Sequence, residues 1–515
     1  LILQGQPQKE VLARHFLEIL DYAAKDDRIK FVVLELDNIY GTGQVVLFDI
    51  GKALEKIKEA GKTIISTADS YDESAYYLAS FSNEIIMNPD GFIFLEGYSR
   101  YRTYYKSLLN KLKISVNLFR VGKFKSAMEP FIRDDMSEEA KEANKKWMGV
   151  LWESWKREVA ENRNLLPADI QKFADNAQNY VKEESGDTAT ALLKANLIDK
   201  VMNRTATRKY LNDLIGKEKD EESFPQISGQ EYFQVISSEK ETISSKDEIA
   251  IIVAQGTILD GEQPSGMIGG DSTATIIRKA HQNENIKAIV LRVDSGGGSA
   301  FASEVIREEI VNARSKGIPV IASMSNVAAS GGYWISASAN EIWASHNTIT
   351  GSIGIFGFFP TFEKTLNEIG VHTDGISTTK LGSMDPTMEL NPALADILQS
   401  TIEFGYQRFI SLVAEERKMS KEKVDVIAQG RVWSGKTANE IGLVDKIGDL
   451  QQAVLRAAEL AGVEKYKTSY PSEELDWKQQ ILKQLFSFVS FFPPGFNDNP
   501  VFKKSVNLFE EIENF

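Results

Sequence analysis

The chain has 515 residues, of which 42% are hydrophobic and 26% are charged, a composition typical of a folded globular protein and not of a disordered one. Its 73 acidic and 59 basic residues give a formal net charge of −14, which argues against a phosphate-binding surface and a nucleic-acid partner. The absence of cysteine excludes disulfides and thiolate metal sites, and the length predicts two or three domains.

The chain begins at Leu1, inside an apolar run and without a methionine. We therefore expect natural residues upstream of Leu1, where a signal or a membrane anchor would lie. Within the sequence itself, no stretch reaches the roughly 20 apolar residues needed to span a bilayer.

The first candidate for chemistry, in chain order, is a lysine among apolar residues. Lys125 lies in the run from Val121 to Phe131, with Phe124 and Met128 close by. Apolar neighbours disfavour an ammonium ion and lower the pKa of a lysine from about 10.4 toward 7, so Lys125 is a candidate general base. The alternative is an ordinary surface lysine.

A change in composition divides the chain. Residues 216–248 are rich in Lys, Glu, Asp and Ser and lack an apolar period. We predict a first domain at 1–219, a linker at 220–247 with a short strand at Tyr232–Ile236, and a second domain at 248–515.

The second half begins with a predicted strand at Ile249–Val253 and continues with another that ends near Asp294. The second of these strands runs into three glycines, Gly296 to Gly298, whose backbone N–H groups could face a developing oxyanion. The alternative is a flexible turn. A helix is predicted from Ala300 to Lys316, where Gly317 ends it.

The next predicted strand, Pro319–Ser323, leads into a turn of small residues at Ser330. Ser330 is a candidate nucleophile, with the N–H of Gly331 beside it as an oxyanion donor. A plain helix N-cap is the alternative for this serine. Ligands of α/β folds gather at the carboxyl ends of the strands, where both the glycines and Ser330 lie.

A lysine base is expected because none of the histidines lies in a segment that resembles a triad partner. The four histidines are His15, His281, His346 and His372. Ser352 is a second serine, able to orient a lysine amine, and it precedes an aromatic run at 356–359 that predicts either an apolar substrate pocket or core packing. Near the C-terminus, the apolar segment Ile481–Phe492 is too short to span a membrane and predicts a helix packed on its own domain or a neighbour.

An internal repeat sets the architecture. Three segment pairs carry it, the first two at an offset of 257 residues and the third at 246: 29–37 with 286–294, 76–85 with 333–342, and 195–199 with 441–445. Each half alternates short Val/Ile/Leu strands with amphipathic helices, which predicts an α/β fold built as a tandem repeat of two βαβ domains with largely parallel sheets.

The repeat predicts that the site is divided between the halves. At the same offset Ser330 corresponds to Glu73, and the first half has lost the glycine triplet. Conversely, Leu381 stands opposite Lys125, and Lys380 misses that position by one. We therefore expect the first half to supply the lysine and the second half the serine and the glycines, within one protomer.

These motifs in combination resemble the signal peptide peptidase A family, in its long two-repeat bacterial form, of the superfamily that includes the Clp protease and crotonase folds. The resemblance covers nearly the whole chain and is carried by residues 125–136, 292–298, 328–333 and 350–354. One departure is Gly296, where the family usually has proline, which reduces the expected rigidity of the loop.

The resemblance implies a serine endopeptidase with a Ser–Lys dyad and with no metal or cofactor. Ser330 would be the nucleophile, Lys125 the general base and Ser352 its assistant. Gly331 would form the oxyanion hole with Gly298, or else with Gly297.

The resemblance also implies a substrate, an assembly and a location. The substrates would be hydrophobic peptides, in particular remnant signal peptides. The assembly would be a homo-oligomer, a tetramer by the family pattern. An upstream anchor would hold the protein on the bacterial inner membrane, with the catalytic part on the periplasmic or extracytoplasmic side.

Two other functions stay open from the sequence. A crotonase-like acyl-CoA enzyme would also use glycine-loop amides to hold an oxyanion, but it needs a placed carboxylate and a CoA site. A non-catalytic scaffold that binds extended peptides would suit the first half alone.

Overall fold

The structure is a computed structural model that describes residues 12–39, 42–216, 224–239, 245–264 and 266–471. Leu1 and the predicted helix at 481–492 lie outside the described residues. The two halves pack into one compact unit that extends to Tyr470.

The first half alternates helices with short strands, and one further helix follows it. In chain order these elements are α1 (Ala13–Lys25), β1 (Phe31–Glu35), α2 (Gln44–Glu59), β2 (Thr63–Ala68), α3 (Glu73–Ser80), β3 (Glu84–Met87), α4 (Lys106–Lys111), β4 (Ser115–Val121), α5 (Glu129–Ile132), α6 (Glu138–Arg163), α7 (Pro167–Glu183), α8 (Thr188–Lys194), β5 (Lys200–Val201), α9 (Arg204–Ile215) and α10 (Gly229–Glu239).

The second half has the same alternation with longer strands. Its elements are β6 (Glu248–Gln255), β7 (Ile258–Leu259), β8 (Ile268–Gly269), α11 (Gly270–Gln282), β9 (Ile286–Ser295), α12 (Ala300–Ser315), β10 (Val320–Ala329), α13 (Gly331–Ala337), β11 (Glu341–Ala344), β12 (Ile349–Gly351), β13 (Ile355–Thr361), α14 (Glu363–Glu368), α15 (Pro392–Glu416), α16 (Lys421–Ile427), β14 (Val432–Ser434), α17 (Gly435–Glu440), β15 (Lys446–Ile447), α18 (Leu450–Ala461) and β16 (Lys467–Ser469).

The two large sheets confirm the predicted α/β class and the repeat. The first sheet is parallel, in the order β1-β2-β3-β5. The second contains the same series as β9-β10-β11-β15 and adds β12, β14, β6 and β16, with only β14 antiparallel to its neighbour. Each half buries a hydrophobic core of its own, around Tyr76 in the first half and around Tyr333 in the second.

The predicted strand at Tyr232–Ile236 is wrong, because these residues form part of α10. Tyr232 and Ile236 are buried, and their spacing of four residues places them on one face of a helix. The Tyr232 hydroxyl donates to Asp26, at the end of α1. Packing on α1 therefore decides a segment whose β-branched and aromatic residues suggested a strand. The domain boundaries stay a prediction.

A two-stranded ribbon joins the halves. Strand β4 of the first half pairs antiparallel with β13 of the second over seven residue pairs, from Ile355 opposite Val121 to Thr361 opposite Ser115. A second seam lies at Asn326, whose Oδ1 accepts the N–H of Val45 at 3.1 Å. Among the described helices, none combines the length and the apolarity needed to cross a membrane.

Candidate active site

Three loops of the second half meet at one edge of its sheet. The glycine triplet follows β9, Ser330 follows β10, and Ser352 follows β12. These strands are parallel neighbours with β10 in the middle, so their carboxyl ends lie side by side.

Ser330 has a backbone conformation that few non-glycine residues adopt, with φ 55° and ψ −117°. Its N–H donates to the carbonyl of Gly351 and its own carbonyl accepts the N–H of Trp334, both at 2.9 Å. Ser330 holds the N-cap position of α13, but its side chain makes no capping hydrogen bond, so its hydroxyl is not used as in a plain N-cap. Strain of this kind at a small hydroxyl residue is typical of a functional position.

The structure brings Lys125 of the first half to both serines. Its Nζ lies 3.0 Å from Ser330 Oγ, 3.0 Å from the carbonyl oxygen of Ser352 and 3.1 Å from Ser352 Oγ. The amine therefore sits between the candidate nucleophile and the candidate assisting serine, inside one chain. The residues that the sequence analysis selected from the two halves lie within hydrogen-bond distance of one another.

Burial sets the protonation of this amine. Lys125 is only 6% exposed, and desolvation lowers the pKa of its amine from 10.5 to about 7. Its three partners at Nζ are neutral oxygen atoms. A substantial fraction of the amine is therefore neutral at neutral pH and able to accept a proton.

Hydrogen bonds from two arginine side chains to backbone carbonyls fix the loop that carries Lys125. The loop follows β4 in the ribbon, and the guanidinium of Arg120 donates to the Lys125 carbonyl at 3.2 Å. Arg102 donates to the carbonyls of Ser126 and Ala127 at 3.1 and 2.9 Å. The ribbon places the lysine, and the two arginines hold its loop.

The aromatic run at 356–359 lies within β13, so it forms the second-half strand of the ribbon. Phe358 contacts Phe131 of the first half, with ring centroids 5.1 Å apart. Packing between the halves therefore explains this aromatic, which was expected to line a pocket or fill a core.

The glycine loop lies against the start of α13. Gly297, with φ 99°, approaches Gly331 so closely that a Cβ on Gly297 would lie 2.5 Å from the Gly331 nitrogen. The Gly297 N–H donates a hydrogen bond to Ser295 Oγ at 3.1 Å. Of the two glycine amides considered as partners for Gly331, the Gly298 N–H is the one without a bond to a described protein atom.

The first half has a glutamate where the second half has the candidate nucleophile. Glu73, at the position of Ser330, accepts the N–H of Gly97 through its carboxylate. Its helix, α3, is capped by Asp72, which accepts the N–H of Ala75. In the first-half copy of the site, the Glu73 carboxylate therefore bonds to the backbone of its own half.

A turn that the sequence analysis missed contacts both Lys125 and Ser352. Gly430 lies against the stem of Lys125, and the Arg431 carbonyl accepts the N–H of Ser352 at 2.7 Å. The available signal was a glycine followed by arginine just before a short strand, which gives no hint of a partner 305 residues earlier in the chain.

The sequence matches a family model for Peptidase family S49 at residues 56–216 and again at 312–464, together more than half of the chain. The chain belongs to peptidase family S49. One match falls in each half, as the tandem repeat requires.

Several relatives of this S49 peptidase are named as proteases or peptidases. It is 45% identical to Protease 4 of Salmonella typhi over 88% of this chain and 72% of that protein. It is 42% identical to Protease 4 of Haemophilus influenzae over 89% of this chain and 74% of that protein. A putative signal peptide peptidase SppA of Enterococcus faecium is 31% identical over 46% of this chain and 72% of its own length.

The protein is therefore a serine-type endopeptidase. This assignment excludes the two other functions that the sequence left open, an acyl-CoA enzyme and a non-catalytic scaffold. It also confirms the resemblance on which the fold and the activity were expected.

Proposed function

We propose that this S49 peptidase hydrolyses peptide bonds with Ser330 as nucleophile and Lys125 as general base. The observation that carries the proposal is the 3.0 Å contact between Lys125 Nζ and Ser330 Oγ, made by a buried lysine whose pKa lies near 7. A base with a pKa near the working pH is efficient, because it is partly unprotonated and still able to return the proton.

The proposed reaction runs in two halves. Neutral Lys125 takes the hydroxyl proton while Ser330 Oγ bonds to the scissile carbonyl carbon, and the resulting ammonium protonates the leaving amine as the C–N bond breaks. Water then attacks the acyl-enzyme while Lys125 takes its proton, the ester bond to Ser330 Oγ breaks to release the carboxyl product, and the Lys125 ammonium returns the proton to Ser330 Oγ. Ser352 keeps the amine directed at Ser330 through its hydroxyl and its carbonyl.

The N–H groups of Gly331 and Gly298 form the proposed oxyanion hole. Gly331 is the residue after the nucleophile and the first residue of α13, so its N–H has no acceptor within the helix. The close approach of Gly297 to Gly331 brings the two loops together. Amides fixed in this way stabilise the negative charge that develops on the tetrahedral intermediate.

The proposed substrates are hydrophobic peptides, in particular remnant signal peptides. The name of the Enterococcus faecium relative, a putative signal peptide peptidase, supports this class. Synthetic signal peptides compared with polar peptides of the same length test it. Equal kcat/KM for both sets would contradict it.

A fluorophosphonate probe tests the dyad. We expect an adduct on Ser330 in the native protein, none in Ser330→Ala, and much slower labelling in Lys125→Ala at neutral pH. Lys123→Ala is the matched control, because Lys123 is an exposed neighbour in the same loop. Full activity of Lys125→Ala would overturn the proposal.

We further propose a homo-oligomer, because two segments lack the strand partner that their counterparts have. In the ribbon, residues 115–121 pair with 355–361. At the repeat offset the counterparts are 372–378 and 98–104, and the structure places neither of these described segments in a strand.

The equivalence has support in the hydrogen bonds. The Tyr105 N–H donates to the carbonyl of Pro130 at 2.6 Å, and the Phe362 N–H donates to the carbonyl of Pro386 at 2.7 Å. The bonds that flank 372–378 therefore correspond to those that flank β4, which supports treating the two segments as counterparts.

Pairing between two copies of the protein would give each segment a strand partner. Residues 98–104 of one copy would pair with 372–378 of the next, a head-to-tail contact that closes into a ring when the rotation allows it. Tyr101 is 94% exposed and Ile376 is fully exposed, which leaves the two segments accessible. A tetramer is the ring size that the family resemblance predicts.

The proposed location is the bacterial inner membrane, with an upstream anchor and with the catalytic part on the periplasmic or extracytoplasmic side. This rests on the family resemblance. Fractionation of cells that carry the natural full-length protein, followed by protease treatment of spheroplasts, tests it. Recovery in the cytosolic fraction would contradict it.

A further inference from the structure

The turn Gln429–Arg431, between α16 and β14, makes three consecutive backbone bonds to the active-site loops. The carbonyl of Gln429 accepts the N–H of Phe124 at 2.9 Å, and the carbonyl of Arg431 accepts the N–H of Ser352 at 2.7 Å. Between them, the Gly430 N–H donates to the carbonyl of Ile353 at 2.8 Å. One short turn thus holds the residue before Lys125 and also the serine on the other side of its amine.

Gly430 packs directly on Lys125. Its φ is 73°, and a Cβ there would lie 2.7 Å from Lys125 Cβ and 2.8 Å from Lys125 Cα. Gly354 closes the same space, since a Cβ on it would lie 3.3 Å from Lys125 Cδ. Glycine backbone therefore covers the lysine stem where no side chain would fit.

The side chain of Arg431 ties this turn to the first half. Its guanidinium lies over the rings of Phe124 and Trp433, at 4.7 and 4.5 Å from their centroids, and pairs with Glu142 of α6 at 2.6 Å. The arginine side chain is 14% exposed. A stacked, paired and mostly buried guanidinium restrains Phe124, the residue next to Lys125.

We propose that the Gln429–Arg431 turn is a positioning element for the base: it encloses the stem of Lys125 and aims its amine at Ser330 only when the two halves are docked. This inference rests on the proposed function, in which Lys125 is the base. The residues that it adds act through Lys125, by packing on its stem and by bonding to the loops beside it.

The first test is Gly430→Ala against Gly317→Ala. The two glycines have similar φ, 73° and 78°, so both variants carry a similar backbone strain, but a Cβ on Gly317 meets nothing within 4 Å. We expect Gly430→Ala to lower kcat at pH 7 at least about tenfold, with KM within about threefold of the native value. We also expect the midpoint of the kcat/KM pH profile to rise by about one unit or more, because a lysine displaced into water holds its proton more tightly.

The second test is Arg431→Ala against Arg456→Ala. Arg456 also forms ion pairs, with Glu341 and Glu459, but it lies on α18, away from the site. Arg431→Ala should lower kcat and raise the pH midpoint in the same direction as Gly430→Ala, while Arg456→Ala keeps both. If Gly430→Ala does not fold, the comparison of Arg431→Ala with Arg456→Ala decides whether the turn positions the base.

The outcomes separate this inference from the proposed function. If Lys125→Ala is fully active, the dyad itself is wrong. If Lys125→Ala is inactive, while the Gly430 and Arg431 variants fold and keep the native kcat and pH midpoint, the dyad stands and the positioning role is overturned. A loss of thermal stability with an unchanged pH midpoint indicates a structural role only and also overturns it.

Discussion

Gly297 lies against Gly331 so closely that a methyl group on Gly297 would come within 2.5 Å of the Gly331 nitrogen and 2.9 Å of Ser330 Cβ. The glycine loop and the nucleophile turn are therefore one packed unit. The distance between their amides depends on the absence of a side chain at this position.

Gly297→Ala should separate the two loops. We expect kcat to fall by about 10²–10³-fold, the range typical of a lost oxyanion-hole donor. Gly296→Ala is the control, because a Cβ on Gly296 meets nothing within 4 Å and should leave kcat near the native value. Steady-state kinetics on one peptide substrate measures both, and equal activity of the two variants would contradict the expectation.

Burial of Lys125 should lower the free energy of unfolding in a defined pH range. The folded pKa of Lys125, about 7, is below its ordinary value of 10.5, so between these values the unfolded chain binds a proton that the folded chain does not. The free energy of unfolding therefore rises with pH across this window, and the full penalty, about 5 kcal/mol, applies below pH 7.

Lys125→Met removes this penalty together with the titration. We expect its thermal midpoint to exceed that of the native protein at pH 7, and the difference to shrink as the pH approaches 10.5. Lys123→Met, at the exposed neighbour, should show no such trend. A difference for Lys125→Met that does not change with pH would be evidence against a shifted lysine.

The halves of the site were predictable from the sequence because each lies in a local motif. Ser330 stands between a predicted strand and small residues, and the loss of the serine and the glycines in the first half indicated that Lys125 comes from the other domain. The contacts of Gly430 were not predictable, because they depend on how two separate sheets dock. No local pattern in residues 429–431 indicates a partner in the loop that follows β4.

The fold divides in the same way. The repeat and the apolar strands were sufficient to predict two largely parallel sheets, and α12 (Ala300–Ser315) was predicted to within one residue. The error at Tyr232–Ile236 arose where tertiary packing on α1 decides between strand and helix. The ribbon of β4 and β13 was also missed, since it joins strands from different halves.

Ser352 should assist catalysis through its hydroxyl. Ser352→Ala removes the 3.1 Å contact with Lys125 Nζ and leaves the 3.0 Å contact from the carbonyl. A neutral hydrogen bond is worth about 1 kcal/mol, so we expect kcat to fall roughly five- to tenfold with little change in KM. Ser185→Ala is the control, because Ser185 also has a positive φ, 57° against 52°, but lies exposed in the first half. An unchanged kcat would remove Ser352 from the mechanism.

The proposed assembly depends on pairing of the exposed 372–378 segment, so a like charge there should dissociate it. In the register of the ribbon, Ile376 would lie opposite Arg100 of another copy, and Ile376→Lys would place two positive charges opposite each other. Sedimentation velocity should show the native protein as an oligomer and Ile376→Lys as smaller species at the same concentration. Leu455→Lys is the control, because Leu455 is 55% exposed on α18, outside both segments, and should assemble like the native protein. A native protein that is monomeric at all concentrations, or an Ile376→Lys variant that assembles fully, would contradict pairing through these segments.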